Sequence, residues 1–100
     1  MSTESAIAPT INPTAEDAYW REAFRREPYF RADLSYDDYS PAYRVGYTAP
    51  VRRRGEWEEL EQDLEKDFQQ VRGRSRLRWD EARAAVRAAW RRARAGEHPQ

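Results

Sequence analysis

The apolar side chains of this chain are mostly aromatic rings, and this restricts how a core can be built. All thirteen aromatic residues lie between Tyr19 and Trp90, and the same segment holds only eight leucine, isoleucine or valine residues. Each buried ring removes on the order of 150–250 Å² from water, so a few rings can replace a larger aliphatic set. We therefore expect a small, modestly stable domain whose core consists mainly of rings.

Apolar residues recur at the three- and four-residue spacing of amphipathic helices. The clearest stripe is formed by Trp57, Leu60, Leu64, Phe68 and Val71. It predicts a helix that ends at Gly73, and a similar stripe predicts a last helix from about Trp79 to Ala95, with Gly96 as its C-terminal stop. No strand pattern competes. The sequence therefore predicts an all-α domain, a small bundle of three or four helices with an aromatic-rich core.

Capping residues and prolines set the helices expected in the first half of the chain. Thr14 with Asp17 resembles an N-cap, which predicts a helix from about Ala15 to Arg26, with Pro28 beyond its end. This helix would begin a single domain over residues 14–95, with flexible tails at 1–13 and 96–100.

Two further start signals follow in the sequence. Ser35 with Asp38 resembles a capping box, and Ser40 followed by Pro41 resembles a helix start, because proline suits the first helical position. We therefore expect one turn over residues 36–39 and a separate short helix over residues 41–48, which Pro50 would end.

Composition excludes several classes of protein. Charged residues make up 36% of the chain and the mean hydropathy is −1.15, and no run approaches the roughly 20 apolar residues that a membrane span needs. The N-terminal segment shows neither the basic start nor the apolar block of a signal peptide. There is no cysteine, so disulfides, thiolate nucleophiles and zinc–sulfur sites are excluded. We expect a cytoplasmic protein without membrane contact.

The residues that common catalytic and cofactor sites require are also missing. The only histidine, His98, lies outside the predicted helices, and the four glycines are too scattered for a phosphate-binding loop. A segment starting at Asp33 has acids at the first and fifth positions of a calcium loop. However, Asp38 stands where that loop needs glycine, and Arg44 where it needs a bidentate glutamate. We therefore predict a protein that is not an enzyme and that binds no cofactor or metal.

Opposite charges are segregated along the second half of the chain. Residues 56–71 carry seven acids and one lysine, a net charge of −6, whereas residues 72–95 carry nine arginines and two acids, a net charge of +7. One interpretation is a nucleic-acid-binding surface, in which arginines contact phosphates and tryptophans stack on bases. The arginines concerned are Arg72, Arg74, Arg76, Arg78, Arg83, Arg87 and Arg91.

The other interpretation pairs several of these arginines with the acidic helix. They recur along one side of the predicted last helix, and antiparallel packing of the two helices would bring acids beside them. The expected pairs are Glu65–Arg83, Glu61–Arg87 and Glu58–Arg91. Exposed pairs contribute about 0–1 kcal/mol each, so they would orient the helices more than stabilise them. We favour this internal pairing over a protein partner, self-association or nucleic acid.

Four tyrosines lie at helical spacing in the segment 36–47. They could form an exposed patch that recognises a peptide or a helix, and the candidate interaction residues would then be Tyr36, Tyr39, Tyr43 and Arg44. They could equally form a core whose hydroxyl groups reach the surface or a buried partner. We favour the core, because the aliphatic side chains are too few to cover four helices.

Several short motifs resemble those of a family of small, uncharacterised bacterial proteins. They are YWR at 19–21, EPY at 27–29, YDDYSPAYRVG at 36–46, RGRSRLRW at 72–79 and ARAAVRAAW at 82–90. The resemblance covers roughly residues 16–93. It departs from the family pattern at Glu27-Pro28, where the family has Arg-Pro, and in the compact segment after Gly46. It implies no reaction, ligand or partner, only a context among bacterial stress-response proteins.

Taken together, these patterns predict a non-catalytic, soluble helical protein that acts through protein–protein contacts, with stress tolerance as its context. The expected partner is another protein or a second copy of the chain. Nucleic-acid binding through residues 72–94 is the alternative.

Overall fold

The computed structural model describes residues 11–95, which form four α-helices and no strand. The helices are α1 (Pro13–Ala23, followed by a 3₁₀ turn at Phe24–Arg26), α2 (Tyr36–Arg52), α3 (Trp57–Val71) and α4 (Trp79–Ala95). The prediction of a small all-α bundle is confirmed. The segments 1–10 and 96–100 of the predicted tails, including the stop at Gly96, lie outside the described residues.

The first helix starts earlier than the sequence predicted. The side chain of Asn12 accepts a hydrogen bond from the backbone N–H of Ala15 at 3.1 Å, and Pro13 occupies the first turn. The prediction of Thr14 as the N-cap is therefore wrong. Asn12 and Pro13 together make a stronger start, because asparagine satisfies a free N–H group and the fixed φ of proline is already helical.

The second helix is continuous, so the prediction of a turn and a separate short helix is wrong. Its capping box at Ser35 and Asp38 is confirmed, but both Pro41 and Pro50 lie inside the helix. A proline inside a helix costs about 3 kcal/mol. Four tyrosines of α2 are buried, and each large apolar side chain contributes roughly 1.5–3 kcal/mol on burial. The free energy gained by burying these rings therefore outweighs the cost of the two prolines.

Small residues let α2 and α4 pack closely, and these two helices form the most extensive helix pair. The buried small residues of the two helices are Ala42, Gly46 and Ala49 on α2 and Ala82, Ala85, Ala89 and Ala93 on α4. A Cβ atom at Gly46 would overlap the carbonyl oxygen of Val86 and lie 2.7 Å from the Cβ of Ala89. The backbones of the two helices therefore nearly touch at this point.

Aromatic rings fill the space beside the closely packed helices α2 and α4. Trp20 of α1 stacks on Tyr43 of α2 with centroids 4.4 Å apart, and Phe24 contacts the rings of Tyr36 and Tyr39. The aromatic core predicted from the sequence is thus confirmed.

The remaining rings join α3 to α4. Trp57 contacts Trp90, and Phe68 contacts Trp79, so α3 and α4 run antiparallel. Gly73, at φ +54°, ends α3 as predicted. No helix within residues 11–95 has the length and apolar character that crossing a membrane would require.

Candidate functional site

The tyrosines that were candidates for an exposed patch lie in the core. Tyr36, Tyr39 and Tyr43 are 7%, 1% and 0% exposed. The hydroxyl of Tyr36 donates to a carboxylate oxygen of Asp17 at 2.8 Å, and the hydroxyls of Tyr29 and Tyr43 lie 2.7 Å apart. Burial raises the pKa of all three tyrosines. The core interpretation holds for them, because almost none of their ring surface is accessible to a partner.

Arg44 is the exception among the four candidate interaction residues. Its side chain is exposed on α2, and no ion pair joins it to an acid within residues 11–95. The structure thus separates the four candidates into three core residues and one surface residue, which do not form a common site.

Asp38 is a buried carboxylate that joins two distant segments, a role the sequence did not reveal. It accepts hydrogen bonds from the backbone N–H of Ser35 at 3.1 Å, the backbone N–H of Arg76 at 2.9 Å and the Arg76 guanidinium at 2.8 Å. The Ser75 hydroxyl also donates to the carbonyl oxygen of Asp38. The Arg76 guanidinium, followed by these backbone groups, lowers the pKa of Asp38 to about 2 despite burial.

Three of the seven arginines proposed for nucleic acid have partners within the chain. Arg76 pairs with Asp38. Arg72 donates to the carbonyl oxygens of Ser75 and Leu77 and lies over the ring of Phe68. Arg83 pairs with Glu61 through two hydrogen bonds of 2.6 and 3.0 Å. The hydrogen-bonded guanidinium of Arg83 lowers the pKa of Glu61.

The predicted register of these ion pairs is wrong by one helical turn for Arg83. It was expected beside Glu65 but pairs with Glu61. The guanidinium groups of Arg83 and Arg87 lie 6.0 and 5.6 Å from the ring centroid of Trp57. Both guanidinium groups therefore lie near the N-terminal end of α3, within the range of a cation–π contact. The structure likewise contains neither a Glu61–Arg87 nor a Glu58–Arg91 pair.

The other four arginines lie in two separate groups. Arg74 and Arg78 are exposed in the segment before α4, whereas Arg87 and Arg91 lie in the second half of that helix. At a rise of 1.5 Å per residue, Arg78 and Arg91 are separated by about 20 Å along the axis. No ion pair joins any of these four to an acid within residues 11–95.

An open cleft lies between the start of α3 and the end of α4. Its volume is about 390 Å³, and its lining residues are Glu56, Trp57, Glu58, Arg87, Trp90, Arg91, Arg94 and Ala95. The rings of Trp57 and Trp90, 5.6 Å apart, form its apolar part. Arg94 pairs with Glu56 at 3.0 Å and lies over Trp90. We refer to these eight residues as the α3–α4 cleft.

The charged groups of the α3–α4 cleft are only partly paired. The Nε of Arg87 is enclosed and has no acceptor within the described residues. Glu58 and Arg91 are both exposed, and neither forms an ion pair within that same part of the chain. The sequence pattern predicted that Trp57 and Trp90 belong to the core. It did not predict the cleft, because the shape of the cleft depends on the register of α3 against α4.

The chemistry available in the α3–α4 cleft is recognition by rings and guanidinium groups. No group of three or more acidic, histidine or cysteine side chains suited to a metal ion occurs within residues 11–95. Comparisons of the chain with protein-family models, with curated proteins and with solved structures find no match.

Proposed function

We propose that this protein is a non-catalytic helical module that acts through protein–protein contacts, with another protein or a second copy of the chain, and that the α3–α4 cleft is its contact site. The observation that carries the proposal is a cleft in which Arg87 and Arg91 lie beside the buried rings of Trp57 and Trp90 and have no ion-pair partner within residues 11–95. Arginine is among the residues that most often dominate the binding energy of protein interfaces.

The contacts of the arginines within the chain support nucleic-acid binding less well. Arg72, Arg76 and Arg83 already have partners inside the chain, and Glu56 and Glu58 line the cleft and would repel phosphates. A mobility shift at low salt that weakens steeply as salt is added would support the alternative against our proposal.

From the resemblance to the family of small bacterial proteins, we also propose that the module serves a bacterial stress response. The cytoplasmic location predicted from the sequence stays a prediction.

The proposed function is tested by capturing partners from the native host with matched variants. Wild type, Arg91→Glu and Arg54→Glu serve as baits, since Arg54 is exposed outside the cleft and the two substitutions change the net charge equally. Quantitative mass spectrometry should find a protein that wild type and Arg54→Glu retain and that Arg91→Glu loses.

The captured protein is then purified and titrated calorimetrically against each bait. We expect Arg91→Glu to bind at least about tenfold more weakly than wild type, because charge reversal at an interface places like charges together. If every captured protein binds all three baits equally, the cleft is not the contact site and the proposal is wrong.

A further inference from the structure

The rim of the α3–α4 cleft carries one exposed acid and one exposed base that are each left over after internal pairing, whereas Arg87 is only half-exposed. Glu56 is paired with Arg94, whereas Glu58 on α3 and Arg91 on α4 have no ion-pair partner within residues 11–95. Both side chains are exposed and line the same cleft. A partner that satisfies this rim must therefore offer both a negative and a positive group.

This charge pattern distinguishes between classes of partner. A uniformly acidic segment would meet Glu58, and a uniformly basic one would meet Arg87 and Arg91. A surface that carries one acid and one base is complementary to itself, because a two-fold axis places each group of one copy opposite the other group of the second copy.

We propose that the α3–α4 cleft binds the same cleft of a second copy of this chain, with Glu58 of each copy facing Arg91 of the other. This inference rests on the proposed function and names its partner. The cleft is lined by eight residues, fewer than the roughly 20–30 per partner of a standard interface, so the dimer is weak and forms at high protein concentration.

Charge reversal tests the arrangement directly. Sedimentation equilibrium over a concentration series should show wild type dimerising. Glu58→Arg places two arginines opposite one another at each contact, and Arg91→Glu places two glutamates there. We expect each single variant to raise the dimer dissociation constant at least about tenfold. Glu22→Arg and Arg54→Glu are the controls; they make the same charge changes at exposed positions outside the cleft and should dimerise as wild type does.

Mixing the two variants supplies the decisive measurement. In an equimolar mixture, the arginine introduced by Glu58→Arg in one chain faces the glutamate introduced by Arg91→Glu in the other. At the second contact, the unchanged Arg91 of the first chain faces the unchanged Glu58 of the second, so both contacts become attractive again. The mixture should form a heterodimer although each variant alone is monomeric. Circular dichroism of each variant establishes that it is folded before it is mixed.

Three results overturn this arrangement. They are a wild-type chain that stays monomeric at the highest concentration reached, a dimer that neither reversal weakens, and a mixture that remains monomeric. A monomeric wild type whose captured partner still depends on Arg91 rejects self-association but leaves the proposed function standing. A monomer without such a partner rejects both.

Discussion

At the scale of single residues, Asp38 connects the start of α2 to the segment that precedes α4. Its carboxylate caps α2 through Ser35 and holds both the backbone and the side chain of Arg76. A buried charge is stable only when it is paired and hydrogen-bonded, and Asp38 meets both conditions.

We expect Asp38→Asn to lower the free energy of unfolding at pH 7 by about 1–3 kcal/mol, because hydrogen bonds to a charged group are lost and Arg76 keeps its charge without a partner. The folded-state pKa of about 2 lies below the ordinary 3.8. The carboxylate therefore stabilises the fold above about pH 4, and its contribution disappears as the pH falls toward 2. Urea denaturation at several pH values measures the effect.

The matched control is Asp37→Asn, since Asp37 is adjacent but exposed and forms no ion pair within residues 11–95. Its substitution should change stability much less. Equal effects of the two substitutions, or a difference that persists unchanged to pH 2, would contradict the role assigned to Asp38.

Asp38 contacts both Ser35 and Arg76, and only the contact with Ser35 could be predicted from the sequence. The Ser35–Asp38 cap was predictable, because capping boxes have a fixed three-residue spacing. The contact with Arg76 was not predictable, because it joins residues 38 positions apart and no periodic pattern marks it.

At the scale of helices, α2 shows how packing decides which local signal prevails. Pro41 follows a serine and is typical of a helix start, yet it lies inside a continuous helix. The stripes of α3 and α4 predicted their helices correctly, because periodicity and burial agree there. Periodicity could not show that prolines would be tolerated in α2, since that depends on burial against other helices.

We expect Gly46→Ala to lower the free energy of unfolding by about 1–3 kcal/mol, although alanine is the better helix former. The added methyl group would meet the backbone of Val86 and the side chain of Ala89 and push α2 away from α4. Thermal denaturation followed by circular dichroism measures the change. Arg44→Ala, at an exposed position of the same helix, is the control and should be nearly neutral; a Gly46→Ala protein as stable as this control would rule out close backbone packing.

At the scale of the whole molecule, the rings of all four helices belong to one core. Trp20, Trp57 and Trp90 are 3%, 4% and 5% exposed, and Trp79 is partly buried against the same cluster. Rings from α1 and α2 and rings from α3 and α4 should therefore lose their environment together when the protein unfolds.

We expect the tryptophan emission of the native protein to be shifted to short wavelength and to resist quenching by iodide. Both properties should disappear in a single guanidinium transition that coincides with the loss of helix by circular dichroism. Native tryptophans that iodide quenches as readily as denatured ones would show that the rings do not form the core.

The composition was enough to predict that rings build this core, because too few aliphatic side chains are present for any other arrangement. The α3–α4 cleft could not be predicted from the sequence. Whether Glu58 and Arg91 pair depends on the register of α3 against α4, which differs by one helical turn from the predicted register at Arg83, and the sequence contains no signal for such a shift.

The close pairing of α2 with α4 also has a kinetic consequence. These two helices are separated along the chain by the whole of α3 and its connecting segments. The intervening chain must therefore close into a long loop before α2 and α4 can contact each other. Bundles in which consecutive helices form the main contacts avoid this entropic delay and fold fastest. This chain should therefore reach its native state more slowly than a helical bundle of equal length with the usual neighbour-to-neighbour topology.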